Sequence, residues 1–169
     1  MDLADTLASK QLADDVIREF GQIDILVNNA GLSQRSFTID TPLEIDRKIM
    51  EVNFFGTVAL TKAVLPFMVH RKTGLIIVIS SISGKFGFYL RSAYAASKHA
   101  LHGFFYILRA EYGSEGIKVL IVCPGFVNTN VAKNSLDRNG NPIGRNNKMI
   151  ETGLDPLYVS EQILSAIKS

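Results

Sequence analysis

Tyr94 and Lys98 stand four residues apart in the run Tyr94-Ala95-Ala96-Ser97-Lys98. On a helix that spacing turns about 40° around the axis, so the two side chains share a face. A free phenol ionises near about pH 10, and a neighbouring ammonium favours phenolate and lowers that value. Such a tyrosine can donate or accept a proton near neutral pH. Taken alone, the pair also fits a plain solvated helix face.

Three further segments point the same way. Ser80-Ser81 follows the apolar run Leu75-Ile76-Ile77-Val78-Ile79, thirteen residues before Tyr94. Asn28-Asn29-Ala30-Gly31 follows a second apolar run, and Pro124-Gly125 closes a third. Each is ordinary cap or turn chemistry by itself. If the runs are parallel strands, all three turns lie at the carboxyl edge of one sheet, where open α/β sheets bind ligands.

The elements needed to position these residues are legible. Residues 9–20 predict an amphipathic helix stopped by Gly21. Residues 23–28, 75–79 and 118–123 predict strands, the second buried on both faces. A long helix is expected from Thr41 (cap) and Pro42 (first turn) to about Arg71, with Gly56 and Pro66 as possible kink sites. A second is expected over 92–113, and a last one from Asp155-Pro156 to about Lys168. Helices between strands predict right-handed crossovers and a parallel sheet with helices on both faces. Residues 128–153, with seven asparagines, read as an extended loop.

Composition narrows the function classes. The chain has 169 residues, 47% of them hydrophobic and 20% charged, which suits one globular domain. The net charge is only +2, with no Lys/Arg run, so no nucleic-acid partner is expected. Cys123 is the only cysteine, which excludes an internal disulfide and fits a reducing compartment. No apolar run reaches about 18 residues, so no membrane segment is expected in this chain. The acidic start lacks a signal-peptide pattern, and an intracellular, cytoplasmic protein is expected. His70, His99 and His102 lack a third ligand at metal spacing, and no metal is expected.

In order and spacing, Asn28-Asn29-Ala30-Gly31, Asn53, Ser81, Tyr94/Lys98 and Pro124-Gly125-Phe126-Val127-Asn128-Thr129 resemble the short-chain dehydrogenase/reductase family, single-domain type. The run Arg91 to Ala100 and the stretch Cys123 to Gly144 are similar to its member 7 and 7B subgroup and bacterial relatives. The resemblance implies a single NAD(P)-binding, Rossmann-like domain over residues 1–169. It implies hydride transfer between a small-molecule carbonyl and a secondary alcohol, with NAD(P), NADP favoured. Tyr94 would be the general acid or base. Lys98 would lower its pKa and hold the nicotinamide ribose. Ser81 would orient the substrate oxygen, and Asn53 would hold a water in a relay to Lys98. Asn28, Ala30, Gly31, Pro124 and Gly125 would line the cofactor cleft. Val127 and Thr129 would meet the carboxamide and a phosphate, and Asp2 and Leu3 the adenine. Residues 128–153 would form a substrate lid, and the full-length form would be a homo-oligomer.

The family begins with a strand, a glycine-rich turn and a helix that together hold pyrophosphate. No such turn lies upstream of Asp2, and Gly84 and Gly87 follow the wrong strand at the wrong spacing. The expected fold class is therefore α/β, a partial doubly wound parallel sheet lacking the first two strands and most of the third. The expectation is a fragment of a longer enzyme, and an anchor upstream of Met1 stays open. Two other readings stand beside the oxidoreductase. One is an inactive fragment that at most pairs with family subunits. The other is an extended-branch epimerase, against which the Asn-Asn-Ala-Gly turn argues.

Overall fold

The computed structural model describes residues 3–146 and 148–168. Its regular elements are α1 (Ala8–Phe20), β1 (Ile25–Asn28), α2 (Leu43–Met50), α3 (Thr57–Arg71), β2 (Gly74–Ile79), α4 (Ser92–Tyr112), β3 (Ile117–Val122), α5 (Lys148–Glu151) and α6 (Pro156–Lys168). A π-turn, Glu51–Gly56, joins α2 to α3 without a break. Gly21 ends α1 as its sequence predicts: at φ 80° its N–H reaches the Ile17 carbonyl at 2.8 Å.

The sheet has three parallel strands in the order β1-β2-β3. Register places Leu26, Ile76 and Val119 in one row across it. With Val78 and Ile117 that face meets α1, α3 and α4 in a single core containing Ala13, Met68, Leu101 and Phe105. Phe105 and Ile76 are fully buried, each contributing about 2–3 kcal/mol by removal from water. These three helices share one face, and on the opposite face of β2 Ile77 is buried as well. On the other face Ile25 is 46% and Val27 53% exposed.

Three local readings change. Thr41 does not cap α2: its hydroxyl donates to the Phe37 carbonyl at 2.8 Å, and Pro42 takes the cap position. Gly56 is not a simple kink. The π-turn around it adds a residue to one helical turn, and Gly56 gives room there to the Leu3 backbone. The described residues among 128–153 also carry local pairing and a helix. Leu136 pairs with Gln34 and with Pro142, Val127 pairs with Leu154, and α5 lies within the segment.

The helical run Leu43–Arg71 is long and apolar enough, by length and composition alone, to cross a membrane. No unbroken apolar run marks it, because Glu51, Asn53, Thr57, Thr61 and Lys62 interrupt the sequence. Here α3 packs against β1, β2 and α1, and Asn53, Thr57 and Thr61 are buried with internal hydrogen bonds.

Candidate active site

The three strands end level with one another, because Asn28 pairs with Val78 and Ile79 with Val122. The backbone beyond them stays tied together: Ser80 N–H donates to Val122 O at 2.8 Å and Ile82 N–H to Pro124 O at 3.0 Å. A cleft of about 880 Å³ opens at this edge. Ala30, Gly31, Ser81, Tyr94, Lys98, Pro124, Gly125, Val127 and Thr129 all line it.

Tyr94 and Lys98 reach the cleft from the first two turns of α4. Lys98 is 4% exposed, and its Nζ donates to the Ile79 carbonyl at 2.8 Å. Burial lowers its pKa to about 8. The Tyr94 phenol is raised above its ordinary value, by burial first, while the Ser81 hydroxyl and the Arg91 guanidinium pull it down. The ammonium is turned to a backbone carbonyl and stands 5.8 Å from the Tyr94 ring centroid.

Asn28 and Asn53 are placed by internal hydrogen bonds. Asn28 does not line the cleft: its side chain is buried and donates to Thr61 Oγ1 at 3.0 Å, joining β1 to α3. Asn53 is wholly buried, and its amide is bonded to protein atoms on both sides. Its Oδ1 accepts from Leu32 N–H at 2.7 Å, and its Nδ2 donates to Leu32 O at 2.8 Å and Ser97 Oγ at 2.9 Å. The extra residue of the π-turn aims this amide at Leu32, so Asn53 fixes the segment just after Gly31. Asn53 Oδ1 and Lys98 Nζ both crowd the Gly31 α-carbon, where a Cβ would meet them at 3.4 and 3.5 Å. Leu3 lies against Gly56, outside the cleft lining, and Asp2 lies outside the described residues.

Sequence reasoning missed the segment Ser33–Ser36. Gln34 is fully buried, with Nε2 donating to Ser92 Oγ at 3.1 Å and Oε1 accepting from Tyr94 N–H at 3.0 Å. Arg91 donates to Ser33 Oγ and, at 3.4 Å, to Ser135 Oγ. The only signal in the sequence was a polar tetrapeptide just after the Asn-Asn-Ala-Gly turn, which ordinary loop chemistry also explains. Ser80 turns away from Tyr94 to His102 Nε2 at 3.0 Å. Among the described residues no cluster of His, Cys, Asp or Glu could hold a metal ion.

The residues present suit the nicotinamide and ribose end of a dinucleotide. Ala30 and Gly31 put little side-chain bulk into the turn that lines the cleft, and the Lys98 ammonium stands 3.5 Å from where a Gly31 Cβ would be. Nothing in the described chain offers a glycine-rich turn opening a helix for the pyrophosphate.

Comparison with known proteins agrees with this geometry. The family model described as short chain dehydrogenase matches residues 1–140. The rat and cattle proteins called Dehydrogenase/reductase SDR family member 7B are 46% and 43% identical over 166 residues. Those matches cover 98% of this chain and 51% of each relative, so the chain spans about half the length of the curated relatives it matches. Among solved structures, a short-chain dehydrogenase from Streptomyces avermitilis superposes with a TM-score of 0.88 at 34% identity, covering all of this chain and 65% of that one. A gluconate 5-dehydrogenase from Burkholderia cenocepacia in complex with NADP and tartrate gives 0.76 at 28% identity, over 79% of this chain and 52% of that one. An NAD+-bound xylitol dehydrogenase gives 0.74 at 28%, over 76% and 50%.

Proposed function

The chain belongs to the short-chain dehydrogenase/reductase family, and on that premise we propose that it carries the proton-transfer apparatus of an NAD(P)-dependent oxidoreductase interconverting a carbonyl and a secondary alcohol. The observation that carries the proposal is the meeting of Tyr94, Ser81 and Lys98 in one cleft at the carboxyl ends of parallel strands.

The cofactor, when bound, supplies or accepts the hydride. The chain supplies position and a proton. Burial keeps the Tyr94 phenol protonated at neutral pH, the form needed to donate to a carbonyl oxygen. Ser81 and Arg91 both favour the phenolate left behind. The Ser81 hydroxyl orients the substrate oxygen, and Lys98 holds the ribose while fixed to Ile79. NADP is our preferred form, as in the gluconate 5-dehydrogenase complex among the structural neighbours, where an NAD+-bound xylitol dehydrogenase also occurs. Residues 128–153, which border the cleft through Thr129, Asn134 and Ile150, act as its lid. The full-length form is taken to be a homo-oligomer, and exposed Tyr106 and Ile107 on α4 suit such a contact.

The test is turnover of the full-length enzyme that carries these residues. Tyr94→Phe is expected to abolish nearly all turnover with the cofactor dissociation constant almost unchanged, and Lys98→Ala to damage both. Turnover in Tyr94→Phe within about threefold of wild type would sink the proposal. For the 169-residue polypeptide by itself the inactive reading has an observation in its favour: β1 is an edge strand with Ile25 and Val27 exposed.

A further inference from the structure

Helix α4 begins without help from the residue before it, since Arg91 makes no side-chain cap. The first-turn N–H groups of a helix need acceptors from elsewhere. The N–H of Tyr94 finds one at a distance of 60 residues in sequence, in Gln34 Oε1 at 3.0 Å. The other end of the same amide donates to Ser92 Oγ at 3.1 Å, so one side chain spans the first turn that presents the phenol. Gln34 has no exposed surface. Its backbone is held in turn: Gln34 forms a parallel bridge with Leu136, with Arg35 N–H donating to Leu136 O and Leu136 N–H to Ser33 O, each at 2.8 Å.

We propose that Gln34 is a positioning residue for Tyr94: its buried amide sets the backbone that carries the phenol and ties that backbone to Leu136, in the segment bordering the cleft. The proposal rests on the reading of Tyr94 as the proton-transfer group, and nothing in the motif-based reading assigns a role to Gln34. A buried glutamine could serve packing alone, but both ends of this amide are spent on α4's first turn. A general acid must lie within hydrogen-bond reach of the oxygen it serves, and displacement of about 1 Å can cost about 10²-fold in rate. The charged and titratable groups facing the phenol are Arg91 and Lys98, with the Ser81 hydroxyl beside it. The side-chain hydrogen bonds of Gln34 go to Tyr94 N–H and Ser92 Oγ and to none of these groups.

Two variants test this. Gln34→Leu removes the acceptor, whereas Gln34→Glu keeps an acceptor for both Tyr94 N–H and Ser92 Oγ–H and adds negative charge. Amide hydrogen exchange at Tyr94, and phenol ionisation read as the absorbance difference between each protein and its Tyr94→Phe counterpart, need no turnover. In Gln34→Leu the Tyr94 amide is expected to exchange at least about tenfold faster, with phenol ionisation moving back toward its ordinary value. In Gln34→Glu the amide stays protected and phenol ionisation moves further up, a change that a packing role would not produce. Wild-type exchange and ionisation in both variants overturns the proposal, and Gln34→Glu carries the test if Gln34→Leu does not fold. In the full-length enzyme Gln34→Leu is expected to lower kcat about 10²-fold with KM within about threefold. Unchanged kcat where Tyr94→Phe is inactive overturns the positioning role. A fully active Tyr94→Phe instead removes the underlying reading of Tyr94, while the exchange result still decides whether Gln34 holds it.

Discussion

Lys98 Nζ donates to the carbonyl of Ile79, at 2.8 Å, so the ammonium is tethered to the end of β2 and not to the phenol one helical turn before it. This contact links α4 to the sheet edge at the floor of the cleft. It also explains how a lysine with 4% exposure is tolerated, since a buried ammonium needs acceptors.

Burial of Lys98 predicts a pH-dependent stability. Its pKa falls from 10.5 to about 8 in the folded chain. Between those values the unfolded chain keeps a proton that the folded chain has released, so stability rises with pH through that window. Below the window both states are charged, and burying the charge costs about 3 kcal/mol. Tyr94 and Cys123, both raised by burial, act in the opposite sense at the alkaline end. Urea unfolding from pH 7 to 10 should show a rise in wild type that is missing in Lys98→Met. Parallel curves for the two proteins would contradict the assignment.

Asn53 predicts a large structural effect. Replacing it with Ala leaves the N–H and C=O of Leu32 without their partners, at about 1–3 kcal/mol for each group left unsatisfied. A loss of roughly 2–4 kcal/mol in denaturant unfolding is expected. A loss below about 0.5 kcal/mol, the range of ordinary surface substitutions, would mean that water replaces the amide without penalty.

The adjacent serines should separate. Both serines border the cleft, but Ser81 is close enough to Tyr94 to favour its phenolate, while the buried Ser80 hydroxyl is engaged with His102 Nε2. In the full-length enzyme Ser81→Ala is expected to lower kcat by about 10²–10³, the scale for one lost oxyanion donor. Ser80→Ala should act on stability and leave kcat nearly unchanged. Equal losses of kcat would make both serines structural.

The proposed lid predicts protection on binding. Asp137 Oδ1 accepts from the N–H groups of Asn139 and Asn141, forming a tight exposed turn that includes Gly140 at φ 80°. Proteolysis at Asn139-Gly140 of the full-length enzyme should slow when cofactor and substrate are both present. The same cleavage rate at saturation would speak for a fixed surface turn.

The isolated 169-residue polypeptide is expected to bind neither NADH nor NADPH at millimolar concentration. It lacks a glycine-rich turn at a helix N-terminus, and two or three lost charge-assisted hydrogen bonds at about 1.5–3 kcal/mol each weaken binding by orders of magnitude. Fluorescence titration with each cofactor checks this. Saturable binding below about 100 μM would show that the retained cleft suffices.

The sequence by itself determined the alternation of elements and the carboxyl-edge site. Short, continuous apolar runs ending in Ser80-Ser81 and Pro124-Gly125 read as parallel strands opening onto polar turns, and Gly21 ends α1 through its own backbone freedom. Helical periodicity likewise put Tyr94 and Lys98 on one face, and both meet the cleft. What tertiary structure alone decided was where the polar side chains spend their hydrogen bonds. Asn28 turns to Thr61, Asn53 to Leu32 and Ser97, Lys98 to Ile79, and Gln34 to Tyr94, with partners 19 to 60 residues away. Local spacing carries no information about such pairs. Each is chosen by which buried donor or acceptor would otherwise go without a partner once the helices have packed on the sheet.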